Sequence, residues 1–229
     1  MDQLPKYIPL VFGLTALLTV WFVYVASNKS KNTMILLFSW MAFQAGMALS
    51  GFYTVTNTLP PRFILMVAPP LLLILFLFIS KKGKGYLNAM DTKTLTLLHV
   101  VRLPVEIVLL WLFLQKGIPQ VMTFEGRNFD ILSGLSAPLV YYFGYVKPKL
   151  SRAALIAWNL FCLTLLFNIV IHAALSAPSP FQQMSFDQPN VAILYFPFNW
   201  LPSSLVPLVL FSHLVCLRQL FLHKAPGSN

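Results

Sequence analysis

The apolar segment LLHVVRLPVEIVLLW, residues 97–111, contains three ionisable side chains: His99, Arg102 and Glu106. Spacings of three, four and seven residues place all three on one face of a helix, and Arg102 and Glu106 are spaced for an ion pair within it. A charge at the centre of a membrane-spanning helix costs roughly 2.5 to 3.5 kcal/mol, so pairing is the expected response. We therefore expect this face to point into a helical bundle.

Two interpretations of these residues are open. Ionisable groups inside a membrane usually serve a function, which favours Arg102 or Glu106 contacting a solute, a proton or a lipid headgroup. Alternatively, Arg102 only neutralises Glu106 and joins two helices, with His99 hydrogen-bonded near the inner interface. Pro104 lacks the N–H that would bond the Val100 carbonyl, so the sequence predicts a kink, an exposed acceptor and a hinge at this point.

Other apolar segments carry polar side chains at a similar depth, counted from a helical rise of about 1.5 Å per residue. They are Gln44, Tyr141, Tyr142, Asn168 and His213. If they converge on Glu106 they form a polar chamber near the membrane midplane, with substrate-binding residues Arg102, Glu106, His99, Gln44, Tyr141, Asn168 and His213. The candidates for acid–base catalysis are Glu106 and His213. For each polar residue alone, a hydrogen bond to a neighbouring helix, of about 0.6 kcal/mol, is the alternative.

The composition predicts the elements that position these residues. The chain of 229 residues is 58% hydrophobic and 10% charged, whereas soluble domains carry about 25% charged residues. A water-soluble fold cannot bury this much apolar surface, so we expect a single all-α integral membrane domain over residues 1–229. Cys162 and Cys216 both lie in apolar runs and are expected to be buried and unpaired.

Seven segments approach the roughly 20 apolar residues that a bilayer-spanning helix needs. They are Tyr7 to Ala26, Met34 to Val55, Phe63 to Ser80, Thr94 to Gln115, Ile131 to Val146, Ala153 to Ser176 and Ser203 to Leu222. The first has no clean small-residue cleavage signature after it and is expected to be retained. The third carries Pro69 and Pro70 and the fifth is short, so six spans with a re-entrant segment is the alternative.

The positions of the basic residues give the predicted orientation. Lys and Arg accumulate on the cytoplasmic side of membrane proteins, and seven spans place eleven of them on one side and four on the other. The inner set is Lys29, Lys31, Lys81, Lys82, Lys84, Lys93, Lys147, Lys149, Arg152, Arg218 and Lys224, and the outer set is Lys6, Arg62, Lys116 and Arg127. The protein is thus expected in a cytoplasmic or plasma membrane, with its N-terminus on the outer side and its C-terminus on the cytoplasmic side. This distribution accounts for the net charge of +10 without a nucleic-acid partner.

Two outer loops add further candidates. In MTFEGRNFD, residues 122–130, Asp130 is expected to cap the fifth span. The last outer loop, residues 177–202, mixes prolines with aromatic residues and is expected to be a lid over the outer mouth or, alternatively, an aromatic interface anchor. A zinc site from His172 and His213 with Glu106, Glu125 or Asp130 lacks a closely spaced histidine pair, so no metal is predicted.

The sequence contains no nucleotide-binding, hydrolase or dinucleotide motif, and no cofactor is predicted. The expected function is a small transporter or binding protein for a polar or amphiphilic solute, with the lipid bilayer as its surroundings. One alternative is a membrane enzyme acting on a lipid or isoprenoid. Another is a sensor or assembly subunit whose basic inner loop, with Lys81, Lys82 and Lys84, docks a protein partner.

Overall fold

A computed structural model describes residues 4–222, so Lys224 of the predicted inner set lies outside the described residues. Within that range the protein is 73% helix and has no strands, which confirms the all-α class. The helices are α1 (Tyr7–Ala26), α2 (Lys31–Leu49), α3 (Ile64–Ile79), α4 (Lys81–Asn88), α5 (Thr92–Leu98), α6 (Arg102–Leu114), α7 (Ile131–Tyr141), α8 (Arg152–Ser176) and α9 (Val206–Leu222). Short 3-10 turns lie at Phe52–Thr54, His99–Val101, Gln120–Met122 and Ala192–Leu194, and π-helical segments at Tyr142–Val146 and Leu201–Leu205.

Five helical segments between residues 4 and 222 are long and apolar enough to cross a membrane. They are Tyr7–Ala26, Lys31–Leu49, Thr92–Leu114, Arg152–Ser176 and Leu201–Leu222. Helices of membrane-spanning length and composition are therefore present, as expected. The count of seven spans is not confirmed, and neither is the orientation predicted from it.

The predicted third span, Phe63 to Ser80, is interrupted. Helix α3 ends at Ile79, and α4 leaves it at an angle of 91°. Ser80 is extended, and its hydroxyl accepts a hydrogen bond of 3.0 Å from the Gly83 N–H, which starts α4 directly after the break. A side chain at position 83 would collide with the Leu77 backbone, so glycine is required for this close turn. The predicted fifth span, Ile131 to Val146, is a short apolar helix below spanning length.

The segments that carry most of the predicted inner basic residues meet at one end of the bundle. The Asn28 amide donates to the Ala89 carbonyl at 2.8 Å, which joins the end of α1 to the junction of α4 and α5. The Gln219 amide near the end of α9 donates to the carbonyls of Leu87 and Met90, each at 2.9 Å. These basic segments therefore share one end of the protein.

The long loop at the opposite end, residues 177–202, is packed onto the helices. The backbone N–H groups of Val191 and Ala192 both bond the Gly117 carbonyl, at 3.1 and 2.9 Å, and Ala192 is fully buried. The Gln188 amide donates to two further carbonyls at the end of α6 and in the turn after it. The predicted packing of this loop is therefore present, and a gating role stays a prediction.

Helix α2 supplies donors to carbonyls that prolines leave free. The first proline of α3 lacks the N–H that would bond the Leu65 carbonyl, and Gln44 Nε2 donates to that carbonyl at 3.2 Å. Pro207 in α9 likewise frees the Ser203 carbonyl, to which Trp40 Nε1 donates at 2.8 Å. Two side chains of α2 therefore replace the backbone hydrogen bonds that prolines remove from α3 and from the start of the last span.

Candidate functional site

The charged partner of Arg102 is Asp130. Arg102 Nη1 lies 2.9 Å from Asp130 Oδ1, and the two side chains are 3% and 9% exposed; they form the one ion pair within residues 4–222. The predicted ion pair between Arg102 and Glu106 is therefore wrong. The start of α7 approaches α6 so closely that a side chain at Gly134 would meet Leu103, and this contact brings the loop before α7 within reach of Arg102.

Asp130 does not cap α7 through its side chain, so that expectation is also wrong. Its backbone is already helical, with φ of −65° and ψ of −21°, and no side-chain cap bond is found there in the described part of the chain. Burial raises the pKa of the Asp130 carboxyl, while the Arg102 guanidinium opposes that rise. The carboxylate therefore serves the guanidinium of a neighbouring helix instead of its own helix terminus.

Glu106 is held by an asparagine of the same loop. Asn128 Nδ2 donates to Glu106 Oε1 at 2.6 Å and to the Met122 carbonyl at 3.1 Å, while Asn128 Oδ1 accepts from the Asp130 N–H at 3.1 Å. Glu106 is 1% exposed, and its Oε2 has no protein partner among the residues from 4 to 222. The sequence places Asn128 among the polar residues of this loop, but it did not predict the contact of Asn128 with Glu106.

His213 is bonded on both sides of its ring. Its Nδ1 lies 2.8 Å from Asn159 Oδ1, and its Nε2 lies 3.3 Å from Arg102 Nη2. Because the Asn159 amide donates its own N–H to the Leu155 carbonyl, Oδ1 is left as the acceptor and His213 Nδ1 as the donor. His213 Nε2 then accepts from the guanidinium, so the ring acts as a neutral link between Arg102 and α8. Sequence reasoning missed Asn159.

His99 stacks on His213 inside the bundle. The two ring centroids are 3.8 Å apart with an interplanar angle of 14°, and the Trp158 indole packs edge-on against both rings. His99 is fully buried, so the expectation that it reaches the inner interface is wrong. Neither of its ring nitrogens has a hydrogen-bond partner within the described range.

Other predicted chamber residues lie elsewhere. Gln44 is fully buried and accepts a 2.5 Å hydrogen bond from the Tyr53 hydroxyl. Its amide N–H donates to the Leu65 carbonyl of α3. Burial raises the pKa of Tyr53 to about 12, so this phenol stays protonated as the donor. Asn168 donates to the Arg127 carbonyl at 2.7 Å, and Tyr141 is only half-buried at the end of α7. The predicted polar chamber is therefore not supported: Arg102, Glu106, His99 and His213 belong to one cluster, and Gln44, Asn168 and Tyr141 do not.

A short 3-10 turn supplies hydrogen bonds to the backbone carbonyls before Pro104. The 3-10 turn at His99–Val101 follows α5, and backbone N–H groups after it bond the carbonyls of His99 and Val100. The expected free acceptor at Val100 is therefore wrong, and Thr92–Leu114 is one helical segment that is long and apolar enough to cross a membrane. The hinge role of Pro104 stays a prediction.

An apolar cavity adjoins the cluster. It has a volume of about 390 Å³ and is lined by α3, α6, α8 and the first turns of the last span. Glu106 and Asp130 are its ionisable lining residues within the described range, and the others are apolar; we call it the acidic cavity. His213 does not line it in the part of the chain that the structure describes.

Metal-ligand chemistry finds no support in the described residues. Between residues 4 and 222 no three His, Cys, Asp or Glu side chains are grouped so that they could hold a metal ion. Cys162 and Cys216 are both free and buried, as predicted. The chemistry available at the cluster is therefore that of hydrogen bonds and buried charge.

Residues 60–221 match the family model of a domain of unknown function, DUF8737, and the chain belongs to that family. The matched region contains the whole charged cluster and the residues that line the acidic cavity, whereas α1 and α2 precede it. No curated protein and no solved structure matches the chain.

Proposed function

We propose that this protein binds an amphiphile with a cationic headgroup and an apolar tail, and that it takes this molecule from the lipid phase into the acidic cavity. The observation that carries the proposal is the composition of the cavity wall. Two carboxyl side chains, Glu106 and Asp130, face an otherwise apolar space. Such a wall suits a molecule that has one charged end and a hydrocarbon body.

The balance of charge favours a cation. The wall contains two carboxyl groups, and the guanidinium of Arg102 lies 2.9 Å from one of them, Asp130, and compensates its charge. Glu106 is left with the neutral amide of Asn128 at 2.6 Å and with a second oxygen that has no protein partner in residues 4–222. A primary or substituted ammonium group would give this oxygen a charge-assisted hydrogen bond.

The size and surroundings of the cavity favour an amphiphile over a fully polar solute. A volume of about 390 Å³ falls in the range of roughly 300 to 1,000 Å³ that is usual for ligand sites. Ile64 on α3 and Phe167 on α8 line the cavity and are 41% and 51% exposed on the bundle surface. A hydrocarbon tail therefore has a lateral route between these helices and the bilayer.

The enzyme and docking alternatives receive less support. Both ring nitrogens of His213 are engaged by Arg102 and Asn159, and within residues 4–222 His213 does not line the acidic cavity. An acid–base role for His213 would require that arrangement to break. The idea of a partner docked through Lys81, Lys82 and Lys84, which lie in α4, remains an expectation from the sequence alone.

Photolabelling in lipid nanodiscs tests the proposal. The probe is a long-chain primary amine with a diazirine in its chain, and labelled peptides are located by mass spectrometry. We expect labelling in residues 63–71 and 166–177, and a loss of about tenfold or more in Glu106→Gln, because a charge-assisted hydrogen bond contributes about 1.5 to 3 kcal/mol. Glutamine keeps the acceptor for Asn128, so the fold is preserved.

Glu125→Gln is the matched control, because it removes a carboxylate that is exposed outside the cavity. It should label like the wild type. Equal labelling of Glu106→Gln and wild type, or label found only outside the cavity walls, would overturn the proposal. Thermal unfolding of each variant establishes that it is folded before labelling is compared.

A further inference from the structure

Two serines at the start of the last span are buried without hydrogen-bond partners. Ser203 and Ser204 are 0% and 4% exposed, and neither hydroxyl is bonded to any group within residues 4–222. Buried polar groups in proteins are nearly always hydrogen-bonded, so two neighbouring unsatisfied hydroxyls require an explanation.

Three other buried hydroxyls in the spans bond carbonyls of their own helix. Ser212 donates to the carbonyl four residues earlier in α9 at 2.8 Å, and Thr15 and Thr19 do the same in α1, each at 2.8 Å. Ser203 and Ser204 lie in the π-helical segment Leu201–Leu205 and do not make this bond. Their hydroxyls therefore lack a partner, which a group outside the chain could supply.

Both serines line a second cavity, of about 470 Å³, which we call the serine cavity. It lies between α1, α2, α3 and α9, and its walls contain no Asp, Glu, Lys, Arg or His within the described residues. Leu36 on α2 and Leu73 on α3 line it and are 51% and 40% exposed on the bundle surface. The cavity thus opens sideways between two helices, toward the region that lipid occupies.

We infer that the serine cavity is a second binding site, for a long-chain molecule with an uncharged oxygen headgroup, a hydroxyl or a carbonyl. The headgroup oxygen lies against the hydroxyls of Ser203 and Ser204, and the chain leaves between Leu36 and Leu73. A charged headgroup is excluded because burial of a charge without a partner costs several kcal/mol. The site is separate from the acidic cavity and does not depend on the function proposed for it.

The test uses diazirine probes that share one hydrocarbon chain and differ in their headgroup: an alcohol, a ketone, a primary amine and no headgroup. Labelled peptides from wild type in nanodiscs are located by mass spectrometry. We expect the alcohol, the ketone or both to label residues 36–41 and 73–77, at least fivefold more than the probe without a headgroup. Equal labelling by that hydrocarbon probe would overturn the inference, because the cavity would then hold any lipid chain.

The double variant Ser203→Ala, Ser204→Ala should reduce this labelling to the level of the probe without a headgroup, a loss of at least about fivefold, while the amine labelling of the acidic cavity stays unchanged. Ser212→Ala is the matched control, since its hydroxyl is buried in the same helix but bonded internally. Undiminished alcohol and ketone labelling in the double variant, or an equal loss in Ser212→Ala, would refute the role of the two serines. Competition by an unlabelled long-chain alcohol on wild type gives a second readout that needs no variant, and its failure would also count against the site.

Discussion

Asp130→Asn removes the charge that compensates Arg102 and changes almost nothing else in size. Arg102 is 3% exposed, and its remaining side-chain partner in the described range is the neutral ring of His213, at 3.3 Å. Breaking a buried ion pair by removing one partner costs about 3 to 5 kcal/mol, because the other charge is left buried. We therefore expect Asp130→Asn to lower the free energy of unfolding by that amount.

Glu106→Gln provides the comparison. Its Oε1 accepts from Asn128 at 2.6 Å, and the glutamine carbonyl oxygen preserves that bond. No cation is paired with Glu106 within residues 4–222, so the expected cost is about 1 kcal/mol or less. The difference between the two variants distinguishes the observed ion pair from the one that helical spacing predicts.

The assay is thermal unfolding of detergent-purified protein, followed by tryptophan fluorescence. For a chain of this size 1 kcal/mol corresponds to about 2 to 4 °C in Tm, so Asp130→Asn should lower Tm by roughly 6 to 20 °C. The double variant Arg102→Met, Asp130→Asn should recover about half of the loss, because no buried charge remains. The reasoning is refuted if Asp130→Asn stays within about 2 °C of wild type, if Glu106→Gln is the more destabilised, or if the double variant is additive.

Three further variants test the packing of the helices by the same assay. Trp40→Phe should destabilise the protein by about 1 to 3 kcal/mol, because it removes the donor to the buried Ser203 carbonyl; an unchanged Tm would show that this bond contributes nothing. Gly134→Ala should cost about 1 to 3 kcal/mol, since its Cβ would lie 2.9 Å from Leu103 Cγ. Gly13→Ala, with no atom within 4 Å of the new Cβ, should instead stabilise α1 by about 0.5 to 1 kcal/mol. The opposite order of these two alanine variants would contradict the close contact of α6 and α7.

Helical periodicity correctly predicted that His99, Arg102 and Glu106 face the interior, where they are 0%, 3% and 1% exposed. The same periodicity misassigned the partner of Arg102. Asp130 is 28 residues away along the chain and His213 is 111 residues away, so neither contact has a signature in local spacing. An i,i+4 spacing only brings two side chains within reach of each other. Here the Asp130 carboxylate, on a neighbouring element, takes the place of Glu106 as the partner of Arg102.

The polar residues beyond this cluster show a similar limit. Depth along a helix was a poor guide to which side chains meet, because depth does not specify the direction in which a side chain points around the helix axis. Gln44 meets α3, where a proline leaves a carbonyl free, and Asn168 meets the loop before α7. Each satisfies the nearest unpaired backbone group, since an unsatisfied polar group in an apolar interior is costly.

The amino-acid sequence alone predicts that the chain forms apolar helices of spanning length, that the face with His99, Arg102 and Glu106 is buried, and that Cys162 and Cys216 are buried. These properties depend on local composition and on the 3.6-residue period of the helix. The pairing of Arg102 with Asp130, the hydrogen bond from Asn128 to Glu106 and the apolar space beside them follow from the folded arrangement of the helices. Pairing and cavity shape depend on which helices are neighbours and how far apart they pack, and for this chain those distances are set by contacts between residues remote in sequence.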